Sequence, residues 1–362
     1  MAPRSDVGGR VRPALRGLAP YDPAFSACRV NLSANENTHE VPAPVRDAVR
    51  EALLATPLNR YPDPLANDLR DALAAWHGVG RSSLIVGNGG DEILYNLLLA
   101  FGGPGRTLVH CPPDFAEYEN FAAITETACV DVWRDAEDFS VDADSLVDAA
   151  RAADLVIVTS PNNPTGDLFD PALVRRLLDE TGALVLVDEA YVEFAPEGSS
   201  LASWVAGDPR LMVLRTLSKA FALAGLRCGY LVADPAVVDV LTSIRQIYSV
   251  DVLAQAVAAA SLACRDQIRG LVADIVAERA RLAAGLARMV GVKVWPSAGN
   301  FVLVRMARAG VIRRRLRDER SILVRDFSYA PGLNDCLRLT VGAREEDDAL
   351  LGALAELTRG ES

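Results

Sequence analysis

The stretch ADLVIVTSPNNPTG, residues 153–166, runs from an unbroken apolar, largely β-branched segment straight into a turn built from two prolines and two asparagines. A strand with one wet face alternates apolar and polar residues, whereas an unbroken run is what a strand covered on both faces carries. The same signature recurs at SLIV (83–86), TLVH (107–110), ALVLVDE (183–189), LMVLRT (211–216) and CGYLVA (228–233), with helical patterns between. Residues 84–232 are therefore expected to form a mostly parallel sheet wrapped by helices, an α/β fold. Several of these runs end in polar or glycine-rich turns, which is where an open α/β sheet presents its ligands.

The chain of 362 residues exceeds one typical core, so two domains are expected. Residues 251–289 carry few glycines or prolines and suit a long helical connection. Beyond them VKVWPSAGNFVLVRM, SILVRDF and CLRLTVG lead into a helical tail from Glu345. This order predicts an N-terminal segment over 1–45, a large domain over 46–262 and a smaller α+β domain over 263–362.

Half of the residues are apolar and 23% are charged, as in ordinary globular chains. A net charge of -11 argues against nucleic acid as the main partner, since phosphate contacts need clustered cations. The basic run RRRLR (313–317) reads either as the solvated face of a helix or as a contact for an acidic partner. Cys28, Cys111, Cys129, Cys228, Cys264 and Cys336 form no C-x-x-C pair, and Cys111, Cys129 and Cys228 lie in or beside apolar runs. Free, buried thiols in a reducing cytoplasm are expected rather than disulfides. With no apolar leader and no 18-residue apolar stretch, the chain reads as neither secreted nor membrane-spanning. His39, His77 and His110 show no metal-ligand spacing.

Four features at strand ends bear on chemistry. VGNGGDEILYNLLLAF (86–101) is a strand, a glycine turn and a helix whose free N–H groups face the turn, a ready place for an anion. It is neither a Walker A loop nor a G-x-G-x-x-G turn. In TSPNNPTG (159–166) the prolines hold Asn163 rigidly, as an amide donor or as part of a plain turn. LVLVDEAY (184–191) ends a strand in Asp188 and Glu189, with Tyr191 close behind. RTLSKAFALAGLRCGYLV (215–232) places Lys219 among apolar and glycine neighbours, with Ser218 before it and Arg227 eight residues on. A lysine partly withdrawn from water and near other cations loses its proton more readily and can attack a carbonyl. A phosphate cradle, an acid, an amide, a phenol and a reactive amine are together the groups that pyridoxal phosphate requires. A carboxylate at its pyridine nitrogen, here Asp188, makes the ring an electron sink.

These motifs resemble the fold-type I aminotransferases, and within them the histidinol-phosphate aminotransferase branch. The resemblance is carried by VRPALRGLAPYDP (11–23), NLSANEN (31–37), NRYPDP (59–64), SPNNPTG, VDEAYVEF (187–194), RTLSKAFALAGLRCGY (215–230) and CLRLTVGAREE (336–346). It implies a seven-stranded, mostly parallel large-domain sheet, a smaller C-terminal domain, an N-terminal segment packed on that domain and on a partner subunit, and a homodimer.

It also implies pyridoxal 5'-phosphate, with Lys219 as the Schiff-base lysine, Asp188 on the ring nitrogen, and Asn163 and Tyr191 on the ring's 3-oxygen. Gly90, Asp91, Glu92, Thr216, Ser218 and Arg227 would bind the cofactor, joined by Tyr61 from the partner. Phe115 of CPPDFAEY (111–118) would stack on the ring, with Tyr118 the alternative. Arg325, Arg338, Asn35, His39 and Asn163 would meet the substrate, because a guanidinium fork grips a phosphate or a carboxylate in bidentate fashion.

Two departures stand out. His39 of NENTHEVP (35–42) falls near a tyrosine of the family's substrate pocket, and Asp114 replaces a small hydroxyl residue. The Asp114 side chain is expected to point away from a substrate phosphate, because like charges there would repel. The activity implied is exchange of an amino group between L-histidinol phosphate and 2-oxoglutarate in histidine biosynthesis, in the cytoplasm. Its rivals are an aromatic amino acid aminotransferase and a threonine-phosphate decarboxylase.

Overall fold

The computed structural model of the chain describes residues 8–18 and 26–359, so residues 19–23 of the opening motif and the last three residues lie outside it. In chain order its strands are β1 (Val30–Leu32), β2 (Leu84–Asn88), β3 (Thr107–His110), β4 (Ala128–Asp131), β5 (Leu155–Thr159) and β6 (Leu184–Asp188). They continue as β7 (Leu211–Thr216), β8 (Cys228–Val232), β9 (Val292–Val294), β10 (Phe301–Met306), β11 (Ile322–Asp326) and β12 (Cys336–Thr340).

A seven-stranded sheet runs in the order β2-β8-β7-β6-β5-β3-β4. The pairings from β7 to β4 are parallel, and β8 is reversed against both β2 and β7. The reason for the unbroken runs is visible in side-chain alternation. In β5, Val156 and Val158 enter one apolar core, while Leu155 and Ile157 enter another on the opposite face. The first core takes Leu69 and Leu73 from the helix Asn67–His77; the second takes Ile93 and Leu97 from Gly89–Phe101.

Strand β4 has no counterpart among the expected runs. All four of its residues are exposed at the sheet edge, so it lacks the apolar signature of a doubly covered strand. Cys129 lies on it and is exposed, which corrects the expectation of a buried thiol; Cys111 and Cys228 are buried, and all six cysteines are free.

The second sheet runs β1-β11-β12-β10-β9. Strand β1 lies parallel to β11, so a segment from the start of the chain completes a sheet made from its end. The expected long helix over 251–289 is two helices, Val252–Ala263 and Arg265–Ala287, interrupted at Cys264, whose backbone leaves helical geometry (φ -101°, ψ 24°). Among the described residues no helix is long and apolar enough to cross a membrane.

One contact sets the site's geometry. A Cβ placed on Gly229 of β8 would stand 2.5 Å from the Gly90 nitrogen and 2.7 Å from the Gly89 carbonyl carbon. Only bare backbone lets the start of the helix Gly89–Phe101 lie this close to the neighbouring strand.

Candidate active site

The ends of β5, β6 and β7 and the start of the helix Gly89–Phe101 surround a cavity of about 180 Å³. That is several times the roughly 30 Å³ share of one water, so it admits a small organic molecule.

Asp188, the last residue of β6, is 5% exposed. The Tyr118 hydroxyl donates to its Oδ2 at 2.7 Å and the Ala190 N–H to its Oδ1 at 3.0 Å. Tyr118 is itself tied to the Thr159 hydroxyl at 2.9 Å. Among the described residues Asp188 has no ion-pair partner. Burial pushes its carboxyl up to about 6, against the two donors and with help from the charges of Asp91 and Asp114. The result is a buried acid held by neutral groups.

Lys219 reaches the same cavity from the loop after β7. Its Nζ donates to the Ala34 carbonyl at 3.1 Å and lies 5.8 Å from the Tyr191 ring centre. Burial, then the charge of Arg338, brings its ammonium down to about 8. A sizeable fraction of neutral amine near neutral pH follows. The chain has one other lysine, Lys293, which pairs with Glu137 at 2.8 Å.

The opposite end of the cavity suits an anion. Gly90 and Asp91 open the helix there, with Ser218 and Arg227 alongside. Gly89 has φ +79°, and a Cβ on it would stand 2.5 Å from an Arg227 guanidinium nitrogen. Glycine thus admits the guanidinium, which pairs with Asp91 at 2.8 Å. Thr216 Oγ1 accepts from the Ser218 N–H at 3.1 Å and donates to the Ser218 hydroxyl at 2.9 Å, fixing the turn that precedes Lys219.

Two donors remain between these ends. Asn163 Oδ1 accepts from Arg338 at 2.5 Å, which leaves the amide NH₂ to donate into the cavity. The Tyr191 hydroxyl accepts from Asn35 Nδ2 at 3.0 Å, which leaves its own proton to donate. Arg338 also donates to the Ser33 carbonyl at 2.6 Å, and Asn35 receives a hydrogen bond from Asn300 on its carbonyl at 3.0 Å. The N-terminal strand segment and the second sheet thereby form one wall.

The cavity brings together Gly90, Asp91, Phe115, Asn163, Asp188, Tyr191, Thr216, Ser218, Lys219 and Arg227. Asn35 and Arg338 stand directly behind it through Tyr191 and Asn163, and Arg325 faces Arg338 across the β11–β12 register. Other expected residues lie elsewhere. The Glu92 carboxylate accepts from the Asn88 N–H at 2.5 Å, serving the turn rather than the cavity. His39 Nε2 sits 2.9 Å from the Gly342 carbonyl. Tyr61 is 80% exposed and stacks on Tyr248 with ring centres 4.5 Å apart. The Asp114 carboxylate is turned to His110 Nδ1 at 2.9 Å and does not line the cavity.

Sequence reading missed Tyr118 and Thr159 as supports of Asp188. Two aromatics three residues apart at the start of the helix Glu117–Thr125 were the available signal, and the packing divides their roles. Phe115 lines the cavity, and Tyr118 goes under it to the acid, with the rings edge to face at 5.6 Å.

The family described as aminotransferase class I and II matches residues 29–354. A histidinol-phosphate aminotransferase of Roseiflexus castenholzii is 40% identical, across 98% of this chain and 99% of its own. The crystal structure of histidinol-phosphate aminotransferase from Sinorhizobium meliloti, in complex with pyridoxal-5'-phosphate, superposes with a TM-score of 0.89 at 28% identity over 98% of both chains. The L-threonine-O-3-phosphate decarboxylase from Porphyromonas gingivalis superposes with a TM-score of 0.80 at 26% identity, over 91% of this chain and 99% of that one.

Proposed function

The chain belongs to the aminotransferase class I and II family, and on that premise we propose that it exchanges an amino group between L-histidinol phosphate and 2-oxoglutarate, with pyridoxal 5'-phosphate as cofactor, in cytoplasmic L-histidine biosynthesis. The observation that carries this reading is Asp188, a buried carboxylate with no ion-pair partner among the described residues, sharing one cavity with a lysine brought down to about 8.

The residues fit the cofactor one group at a time. Asp188 would hold the proton on the ring nitrogen, and that proton supplies the cation its surroundings lack. Asn163 and Tyr191 would donate to the 3-oxygen, and Phe115 would cover the ring. The phosphate would meet the helix start at Gly90, the Ser218 hydroxyl and Arg227, with Asp91 sharing the guanidinium. When bound, pyridoxal phosphate supplies an electron sink for the bond broken at the substrate carbon. Lys219, with a neutral amine available near pH 8, takes and returns the proton at that carbon.

Arg338 would meet the substrate's anion from behind Asn163, with Arg325 opposite it in the strand register. Both substrates present one there, a phosphate on histidinol phosphate and a carboxylate on 2-oxoglutarate, which a guanidinium accepts alike. Tyr61 does not line its own cavity and stays exposed, which fits a homodimer in which the partner's Tyr61 completes the phosphate site.

The test is the visible absorption of the purified protein with pyridoxal phosphate. Its band is expected to bleach when L-histidinol phosphate is added and to return with 2-oxoglutarate. Bleaching by phenylalanine or tyrosine alone would move the substrate to the aromatic amino acids. Release of carbon dioxide from threonine phosphate would instead make the chain a decarboxylase.

A further inference from the structure

The fold builds a second cluster of chemically capable groups at the far edge of the large sheet, outside the cavity. His110 ends β3 and Asp131 ends β4, and the two are register partners. Glu119, in the first turn of the helix Glu117–Thr125, comes over the same strand ends. We propose that His110, Asp131 and Glu119 bind one divalent transition-metal cation, with Zn²⁺ the best match.

His110 is the observation that sets this apart from a patch of surface acids. Its side chain is fully buried, and its Nε2 makes no hydrogen bond of good geometry within the described residues. Leaving such an atom unsatisfied is costly, because its lost contact with water is not replaced. Two carboxylate oxygens lie near this nitrogen, Asp131 Oδ1 at 3.2 Å and Glu119 Oε1 at 3.9 Å. One donor atom from each of the three residues lies within 4.8 Å of the others. An ion held by one imidazole nitrogen and two carboxylate oxygens, with solvent completing a tetrahedron, is ordinary zinc coordination.

Asp114 supplies the supporting contact that such a ligand needs. Its carboxylate engages His110 Nδ1 at 2.9 Å and the Cys111 N–H at 3.2 Å. A carboxylate behind a histidine fixes the ring and leaves the other nitrogen's lone pair for a metal. This accounts for the aspartate in CPPDFAEY where a small hydroxyl was expected: it serves His110 rather than the substrate. The same loop carries Phe115 into the cavity, so an ion here would brace the segment that covers the ring. The spacing of these ligands along the chain gave no sign of the site, because only the β3–β4 pairing brings them together. The rival occupant is a proton, since Asp114 and Cys129 favour imidazolium over the burial that opposes it.

The test uses the full-length protein with its cofactor and Co²⁺ as a spectroscopic probe, followed by displacement with Zn²⁺. One Co²⁺ per chain with tetrahedral ligand-field bands is expected. The doubly substituted Glu119→Gln, Asp131→Asn protein, altered only at exposed positions, should lose that stoichiometric binding and keep its aminotransferase turnover. Asp114→Asn should weaken binding by about 10–100-fold. The proposal is overturned if the wild-type protein takes up no stoichiometric Co²⁺. It is equally overturned if the double variant binds as tightly as wild type, which would place the ion on the cofactor or elsewhere.

Discussion

Asp188 and Glu189 are consecutive acids at the end of one buried strand, yet the fold treats them in opposite ways. Glu189 is 1% exposed and fully provided for: it accepts from the Leu201 N–H at 2.6 Å and the Ser200 hydroxyl at 2.7 Å, with Arg215 Nε at 3.6 Å. Arg215 also meets Glu193 at 3.3 Å and lies 5.3 Å from the Trp76 ring centre. Asp188, one residue earlier and turned to the other side, receives among the described residues only Tyr118 and a backbone N–H. Burial raises both acids, but at Glu189 a buried cation pulls back. One acid at this strand end is balanced by a cation within the protein, and its neighbour is held by neutral donors.

Substitutions can break this contrast, and the largest effect is expected at the other reactive group. Lys219→Ala should lower transamination by at least about 10³-fold, in the upper range for removing a proton-transferring group, while the cofactor's phosphate site survives. Steady-state kinetics with a cofactor titration check both.

Glu189→Gln leaves Arg215 paired with Glu193 alone and turns a charged acceptor for Ser200 and Leu201 into a neutral one, so it should cost about 1–3 kcal/mol in urea unfolding, with turnover per folded molecule little changed.

Asp188→Asn should do the reverse in the cofactor-free protein. A carboxyl raised from 3.8 to about 6 on folding favours the folded state below pH 4 and loses that advantage as pH rises through 6. Its removal should therefore stabilise the apo protein at pH 7 by about 1–3 kcal/mol and flatten the pH dependence between 4 and 6. Turnover should fall sharply in the same variant. A destabilised Asp188→Asn protein would mean that the two acids are held alike.

Tyr118→Phe takes one donor from a charged acceptor, at a cost of about 1–3 kcal/mol at pH 7, and should push the acid higher still. The smallest change concerns Lys219 alone. With two lysines in the chain, mass spectrometry can follow its labelling separately, and the rate should rise through pH about 8. Arg338→Met should move that midpoint upward, because the Arg338 charge contributes to the depression.

Much of this was legible in the sequence where physics leaves a local mark. Strands buried on both faces must be apolar throughout, so β2, β3 and β5 to β8 could be read directly. The exposed edge strand β4 carries no such mark and stayed hidden, together with the exposure of Cys129. Asp188, Asn163 and Lys219 were visible because each sits at a strand end beside rigid or glycine-rich chain. Tyr118 was not, since its partner is seventy residues away and only the parallel pairing of β3, β5 and β6 brings it under the acid. The contacts of Glu92 and His39 were hidden for a related reason: position along a motif does not reveal that a side chain meets the backbone at Asn88 or Gly342.

The proposed pairing of Asp188 with a ring cation is tested most directly by Asp188→Ala reconstituted with N1-methyl pyridoxal phosphate, whose ring nitrogen carries a permanent positive charge. If the carboxylate serves to keep that nitrogen cationic, the methylated cofactor should restore turnover of L-histidinol phosphate well above that seen with pyridoxal phosphate in the same variant. Equal, negligible turnover with both cofactors would contradict the assignment and place the role of Asp188 elsewhere.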